Sequence, residues 1–549
     1  MFKVDDATLE ALLATPGFAG LAQAGGAALL SVAESGAITA ALHEAAARQI
    51  GPFHPIVESD LGSMAAADGR TSSVSLCNGA ADEVIAALDA SGAEDKLVIV
   101  ASSSPPAANE EAGDHLGAIV MAEGAPEDLA TAMRTVPASG LHTLTSDSTR
   151  RVGVVTSGDL AETAIDHAGL EGLEHPTDGE QIRFLDAPPP IELHARYLQS
   201  KRLTVPIGTA AALFVTLGGL LAVWALAWGG SPRWLRSACA WIAISSPFLA
   251  LSLLLVGHLR SLTYATVLPF VIAATVLPSL ALVPVARRRG TLVAVAVAGA
   301  ILLAALVVEA GTGWTAALTP LLGGSQLDGG RFFGLPNAFI GLLLGGSIYV
   351  AQRLPRTAGT ALIVATGLLA GLPWTGSNMG AAVTLFAAAG IWWGLRGRVG
   401  WLLTTSAALA STLAGSAIVV VAHRFLTSAP THITRFSERT GGVVGLWDKL
   451  VERLRVGTDL IAANPFALVP VIGVLVTLVV VLRPPPSVRV TFEEAPVWRD
   501  ALLAIVLGSV VAYLVNDSGA AAIGEGFTTS LGALLFVSLL RRNDIMGEA

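Results

Sequence analysis

Beyond about residue 200 the chain is a succession of long apolar runs, and before it there are none. A run of about 18 or more apolar residues is long enough to cross the hydrocarbon core of a bilayer as a helix. The runs are Leu203–Trp228, Trp234–Val256, Leu262–Ala286, Thr291–Glu309, Gly334–Ala351, Thr357–Leu372, Met379–Leu395, Val399–Ala422, Pro465–Leu482, Asp500–Val515 and Gly519–Leu540. Eleven crossings are expected, within a range of ten to twelve because a few runs are short. They are apolar all round, whereas the helices of a soluble bundle carry one apolar face. The expected fold is therefore an α/β N-terminal domain followed by an all-α polytopic membrane domain.

Charge divides the chain at the same place. Of 42 acidic residues, 29 precede residue 195, against eight Lys or Arg in that stretch. So acidic a domain excludes nucleic acid as a partner, because phosphates would be repelled. Arg outnumbers Lys 29 to 4, with abundant Ala and Gly, a bias of GC-rich bacterial genomes. Cys77 and Cys239 are too few for a disulfide framework, and no Cys/His cluster has metal-ligand spacing, so neither metal nor cofactor is expected.

Basic residues beside membrane spans mark the cytoplasmic side. Alternate flanking segments carry fourteen arginines: Arg233, Arg236, Arg287, Arg288, Arg289, Arg353, Arg356, Arg396, Arg398, Arg483, Arg489, Arg499, Arg541 and Arg542. The short segments between them in the alternation carry only Arg260 and Arg331. The arginine-rich set and the C-terminus are expected in the cytoplasm of a bacterial cell, and the other set outside. With eleven spans the acidic domain is then extracytoplasmic, although Arg196, Lys201 and Arg202 locally favour the reverse. MFKVDDATLEAL is neither a signal peptide nor a span, so either the topology is inverted or the sequence begins downstream of its true start, and the second is expected.

The organisation expected is an N-terminal domain over 1–186, a linker over 187–202 stiffened by Pro188 to Pro190, and a membrane domain over 203–540. Short apolar runs at Leu97–Ser102, Ala118–Ala122 and Val152–Thr156 predict strands. A helix is predicted over Asp159–Ala168, capped near Ser157 or Asp159, and alternating strands and helices predict a parallel sheet. The opening, DDATLEALLATPGFAGLAQAGGAALLSV, resembles that of alkaline-phosphatase-superfamily domains. KLVIVASSSPPAANEEAGDHLGAIVMAEG and GLHTLTSDSTRRVGVVTSGDLAETAIDHAGL resemble the superfamily's closing portion, in the version fused to polytopic bacterial membrane proteins of unassigned role.

That resemblance implies an alkaline-phosphatase-like domain whose first strand precedes Val4 and is missing. Activity in the superfamily needs two metal ions held by Asp and His clusters. Here Ser102 to Pro106 follow the LVIV strand, Asp114-His115 precedes the next, and Asp166-His167 lies in a helix, leaving only Asp5 or Asp6 as a candidate ligand. The domain is expected to be a pseudoenzyme that binds rather than hydrolyses.

Within the membrane domain, polar groups at membrane depth are costly and mark function. Three Gly-rich polar segments all fall on the arginine-poor side: 323–337 with Arg331 and Asn337, 373–380 with Asn378, and 516–519 with Asp517 and Ser518. Glu525 lies seven residues beyond Ser518, on the same helical face. Such loops expose backbone N–H groups to anions, and Arg331 offers a fork for phosphate or carboxylate. Arg331, Asn337, Asn378, Asp517, Ser518 and Glu525 are the expected substrate-binding residues of an outward-facing pocket, with no catalytic group assigned. The first and third segments resemble those of the same fused membrane family.

A long loop over 423–464 contains WDKLVERLR, whose Trp447, Leu450, Val451 and Leu454 share one face, as in an interfacial amphipathic helix. Its layout is similar to that of bacterial O-antigen ligases and polymerases. No GxxxxGK[ST] motif occurs, which argues against an ATP-driven pump. The expected function is transport or flipping of an anionic or lipid-linked envelope precursor. The alternatives are a membrane-embedded transferase or ligase acting on a lipid-linked glycan or phosphate, and a scaffold with a pseudo-phosphatase outer domain. Membrane lipids and such a substrate are the expected partners.

Overall fold

The computed structural model describes residues 2–3, 16–24, 26–31, 96–102, 116–125, 142–167, 179–228, 230–328, 332–427, 468–516 and 520–545, with a few isolated positions besides. Two compact units result: 1–202 with 325–333, and 203–324 with 334–549.

The first unit is built on a sheet. Its strands are β1 (Phe2–Lys3), β2 (Gly26–Ser31), β3 (Lys96–Ser102), β4 (Leu116–Gly124), β5 (Thr143–Ser146), β6 (Val154–Thr156) and β7 (Ile182–Leu185). Their order is β1-β3-β4-β2-β5-β7, with β6 also paired to β2. The three predicted strands appear as β3, β4 and β6, but the predicted parallel sheet is corrected to a mixed one. Consecutive strands β3 and β4 pair directly and antiparallel, Lys96 opposite Gly124, since only a parallel pair requires a long crossover. β2 then runs antiparallel to β4 and parallel to β5 and β6. Phe2–Lys3, immediately before Val4, pairs parallel with β3 at the sheet edge, where the first strand was expected to be missing.

Ile119, Val120, Met121 and Ala122 are all buried, as on a strand covered on both faces. Helix α1 (Pro16–Ala24) starts at a proline whose missing N–H costs nothing in a first turn. It contributes the buried Phe18 and Leu21. Helix α2 (Ser157–His167) is capped one residue earlier than predicted. Thr156 Oγ1 accepts the Asp159 N–H at 3.1 Å, and Asp159 Oδ2 accepts the Thr156 N–H at 2.7 Å. This is a reciprocal capping box with Asp in the third position. Asp159 Oδ1 also accepts the Glu180 N–H at 2.8 Å, tying the helix to the approach to β7.

The second unit is helical; α3 (Ile191–Ala227) runs into it from the end of the first and begins within the expected linker, so 191–202 is helix. There follow α4 (Arg233–Leu255), α5 (Tyr264–Arg289), α6 (Thr291–Gly311), α7 (Ile340–Ala351), α8 (Arg356–Gly371), α9 (Met379–Arg396), α10 (Trp401–Phe425), α11 (Leu468–Leu482), α12 (Pro486–Glu494), α13 (Pro496–Val515) and α14 (Ala520–Ile545). Among the described residues seven helices are long and apolar enough to cross a membrane: Ile191–Ala227, Arg233–His258, Tyr264–Arg289, Thr291–Gly311, Met379–Arg396, Trp401–Phe425 and Pro496–Val515. Four shorter apolar helices accompany them: Asn337–Ala351, Arg356–Gly371, Leu468–Leu482 and Thr528–Arg541.

The packing is that of a multi-pass membrane protein. Leu217, Leu220, Ile272, Leu277, Leu402, Leu409, Leu413 and Val479 are each more than half exposed, an apolar surface that water would not tolerate. Serine and threonine share the interior with apolar side chains, including Ser246, Thr384, Ser509 and Thr528 to Ser530. Many of their hydroxyls return to their own helix, as Thr384 Oγ1 does to the Gly380 carbonyl at 2.8 Å. Lipid supplies little hydrophobic drive for helix association, so close fit must do so. A Cβ placed on Gly299 in α6 would come within 2.6 Å of the Gly346 carbonyl oxygen in α7.

The arginine-rich helix ends carry a rim of polar contacts. Asp500 is approached by Arg398 at 3.3 Å and Arg396 at 3.9 Å. Arg356 stacks over Trp393 at 3.8 Å and donates to its carbonyl at 2.9 Å.

Candidate functional site

At the opposite, arginine-poor helix ends a polar layer is assembled from the first two Gly-rich segments and the residue that opens the third. The turn between α8 and α9 bends sharply, with Ser377 at φ 45°. Its Gly376 carbonyl accepts the Leu335 N–H at 2.7 Å. Gly334 precedes with φ 100°, a conformation open to glycine alone at little cost. Any Cβ there would overlap the Gly376 carbonyl.

Asn378 binds these pieces together. Its Oδ1 caps α9 by accepting the Ala381 N–H at 3.0 Å. Its Nδ2 donates to the Leu335 carbonyl and to Asn337 Oδ1, each at 2.8 Å. The side chain is fully buried, and both amide hydrogens are spent on protein. Asn378 acts by positioning Asn337 and the chain around it, rather than by presenting its own amide.

The residue opening the third segment packs on the same helix. The Asn516 carboxamide lies directly against Gly380, where any Cβ would displace it. Asn516 Nδ2 donates to the Ala512 carbonyl at 2.8 Å, while its buried Oδ1 has no hydrogen-bond partner among the described residues. Asn516 was not among the expected site residues, although an Asn ending an apolar helix just before Asp517 was a usable signal. Arg331, Asp517 and Ser518 lie outside the described residues. Glu525 is on α14, but its side chain also lies outside them. Of the expected set, Asn337 and Asn378 are therefore the two whose side chains meet. The amphipathic helix expected from Trp447 also falls largely outside the described residues.

A second polar cluster was not foreseen. Glu309, at the end of α6, is 1 % exposed, and its Oε2 stands 2.6 Å from His258 Nε2. Its Oε1 accepts the Ala316 N–H at 2.7 Å. Trp314 follows in the left-handed region, φ 63°, with its indole buried and its Nε1 donating to the Thr375 carbonyl. The signal was present in the sequence: one carboxylate in an otherwise uncharged apolar run.

In the sheet unit, Arg151 holds the segment 325–333. Its Nε donates to the Phe332 carbonyl at 2.7 Å and its Nη2 to Gln326 Oε1 at 2.9 Å. Arg150 and Arg151 both lie near the Phe333 ring, 5.3 and 5.5 Å from its centroid. Burial pulls the Arg150 guanidinium below its ordinary value, with Asp147 opposing. Hydrogen bonds from a charged donor contribute about 1.5–3 kcal/mol. Arg151→Met should therefore lower the stability of the sheet unit by about 1.5–3 kcal/mol, read by thermal unfolding. Arg151→Lys should restore little, because the bond pair needs the guanidinium fork.

Among the described residues no group of three or more His, Cys, Asp and Glu could hold a metal ion. Compared with protein families, curated proteins and solved structures, the chain matches none of them.

Proposed function

We propose that this protein is a bacterial inner-membrane carrier or flippase for an anionic or lipid-linked envelope precursor, received in the polar layer at its arginine-poor helix ends. The observation supporting this reading is the linkage centred on Asn378, which brings Asn337 and its neighbours onto the start of α9, with Asn516 on the same helix. Hydrogen-bonding groups gathered at membrane depth are retained where they serve a ligand, water or each other. Arg331, Asp517, Ser518 and Glu525 complete the pocket in this reading, with Arg331 meeting the anionic group.

The four shorter apolar helices, added to the seven long ones, bring the crossings to eleven and put the C-terminus in the cytoplasm. The sheet unit, read as a degenerate alkaline-phosphatase-like domain, is extracytoplasmic and binds rather than hydrolyses.

Sidedness is checked by impermeant maleimide labelling of whole cells made accessible at the outer membrane. Asp186→Cys, at an exposed position, should label directly, and Arg288→Cys only after the inner membrane is opened. The reverse pattern would remove the outward-facing pocket. Native mass spectrometry of protein extracted from its own membrane should show a bound anionic lipid that is lost in Asn337→Leu. Retention in that variant would move the ligand elsewhere.

A further inference from the structure

We infer that Glu309 and His258 form a proton-exchange site, in which His258 passes protons between the solution at the arginine-poor face and a carboxylate buried in the helical unit. The proton exchange stands on the local geometry alone. Its use as the coupling step of transport rests on the carrier reading above.

The geometry supplies an inlet, a bridge and a closed end. The His258 side chain is 44 % exposed, whereas the Glu309 side chain is 1 % exposed. The single contact between them, Nε2 to Oε2 at 2.6 Å, is within proton-transfer distance. Glu309 Oε1 is occupied by the Ala316 N–H, so Oε2 is the oxygen left to take a proton. His258 Nδ1 has no partner among the described residues, which leaves that nitrogen of the partly exposed ring to exchange with solution.

The transfer balances without a further reactant. In the deprotonated state the His258 Nε2–H donates to the Glu309 carboxylate and Nδ1 carries no proton. Water delivers a proton to Nδ1, and the proton on Nε2 moves to Oε2. The product is a carboxylic acid donating to Nε2, with the ring again neutral and now protonated at Nδ1. One proton has been bound, and the negative charge at the buried end has gone.

Few other charges face the pair among the described residues. The turn Thr315–Leu318 packed beneath it carries no ionisable side chain. The loop ahead of α5 brings Arg260, which is exposed, and Tyr264, also exposed, at the start of the helix. The turn contributing Thr375 brings only hydroxyl, indole and backbone groups.

Infrared difference spectroscopy of the full-length protein in lipid, between alkaline and acidic buffer, tests the assignment, with the proton itself as the probe. A carboxylic-acid C=O band that shifts in D₂O is expected, and it should be lost in Glu309→Gln, whose amide keeps the shape of the side chain. In His258→Phe the same band should form about a hundredfold more slowly after a pH jump, the loss typical of removing a positioned proton-transfer group. Difference spectra unchanged by Glu309→Gln, in protein shown to be folded by its thermal transition, would overturn the assignment. So would a band whose rate is indifferent to His258. A bound anionic lipid that survives with no such band would spare the carrier reading and remove this site alone.

Discussion

Replacing Asn378 with alanine is expected to lower the stability of the helical unit by about 3–5 kcal/mol, the sum of a lost helix cap and two stranded acceptors. The cap is the bond from the Ala381 N–H. The acceptors are the Leu335 carbonyl and Asn337 Oδ1, both of which depend on Asn378 Nδ2. Thermal unfolding in detergent measures the total, and a second variant separates its parts. Asn378→Asp keeps the capping oxygen but supplies no amide hydrogens, so it should recover only the cap, about 1 kcal/mol. It would also bring a carboxylate beside the Leu335 carbonyl. If alanine and aspartate behaved alike and were both mild, the side chain would not be what joins the two segments.

Gly334→Ala should be nearly as damaging, at about 2–4 kcal/mol, because strain and overlap act together. The residue has φ 100°, and a Cβ would overlap the Gly376 carbonyl that accepts the Leu335 N–H. Gly324→Ala isolates the backbone part. Gly324 also has positive φ, 76°, but open space where the Cβ would stand, so about 1–2 kcal/mol is expected. The difference between the two melting temperatures then reports the close approach of Gly334 and Gly376. Equal losses would mean that the contact yields freely.

The helices were legible because the signal is long and redundant. A run such as Leu203–Trp228 tolerates misreading of several residues and still spans a bilayer. Boundaries were less so: Ile191 to Arg202 is polar enough to resemble a connector, yet it continues the helix that follows. The direction of strands in the sheet was not legible, because pairing β3 with β4 or β2 with β6 is a long-range choice that local composition does not encode. In the polar layer, clustered Gly, Asn and Asp drew attention to Asn337 and Asn378. Glu309 and His258 stood singly at the ends of apolar runs, and only the fold makes them neighbours. Arg151 was similarly hidden, although a basic pair within so acidic a domain was a visible irregularity.

Trp314 joins two stretches that are far apart in the chain. Its backbone is held in a region a bulky residue rarely occupies, and its indole reaches the Thr375 carbonyl. Neither the 312–319 turn nor the 372–378 turn can open while that indole stays in place. Their amide hydrogens should therefore exchange with solvent as one cooperative unit, with a common opening free energy, rather than as two independent loops. Trp314→Phe, which fills much of the space but has no N–H to donate, should split that unit into two exchange rates.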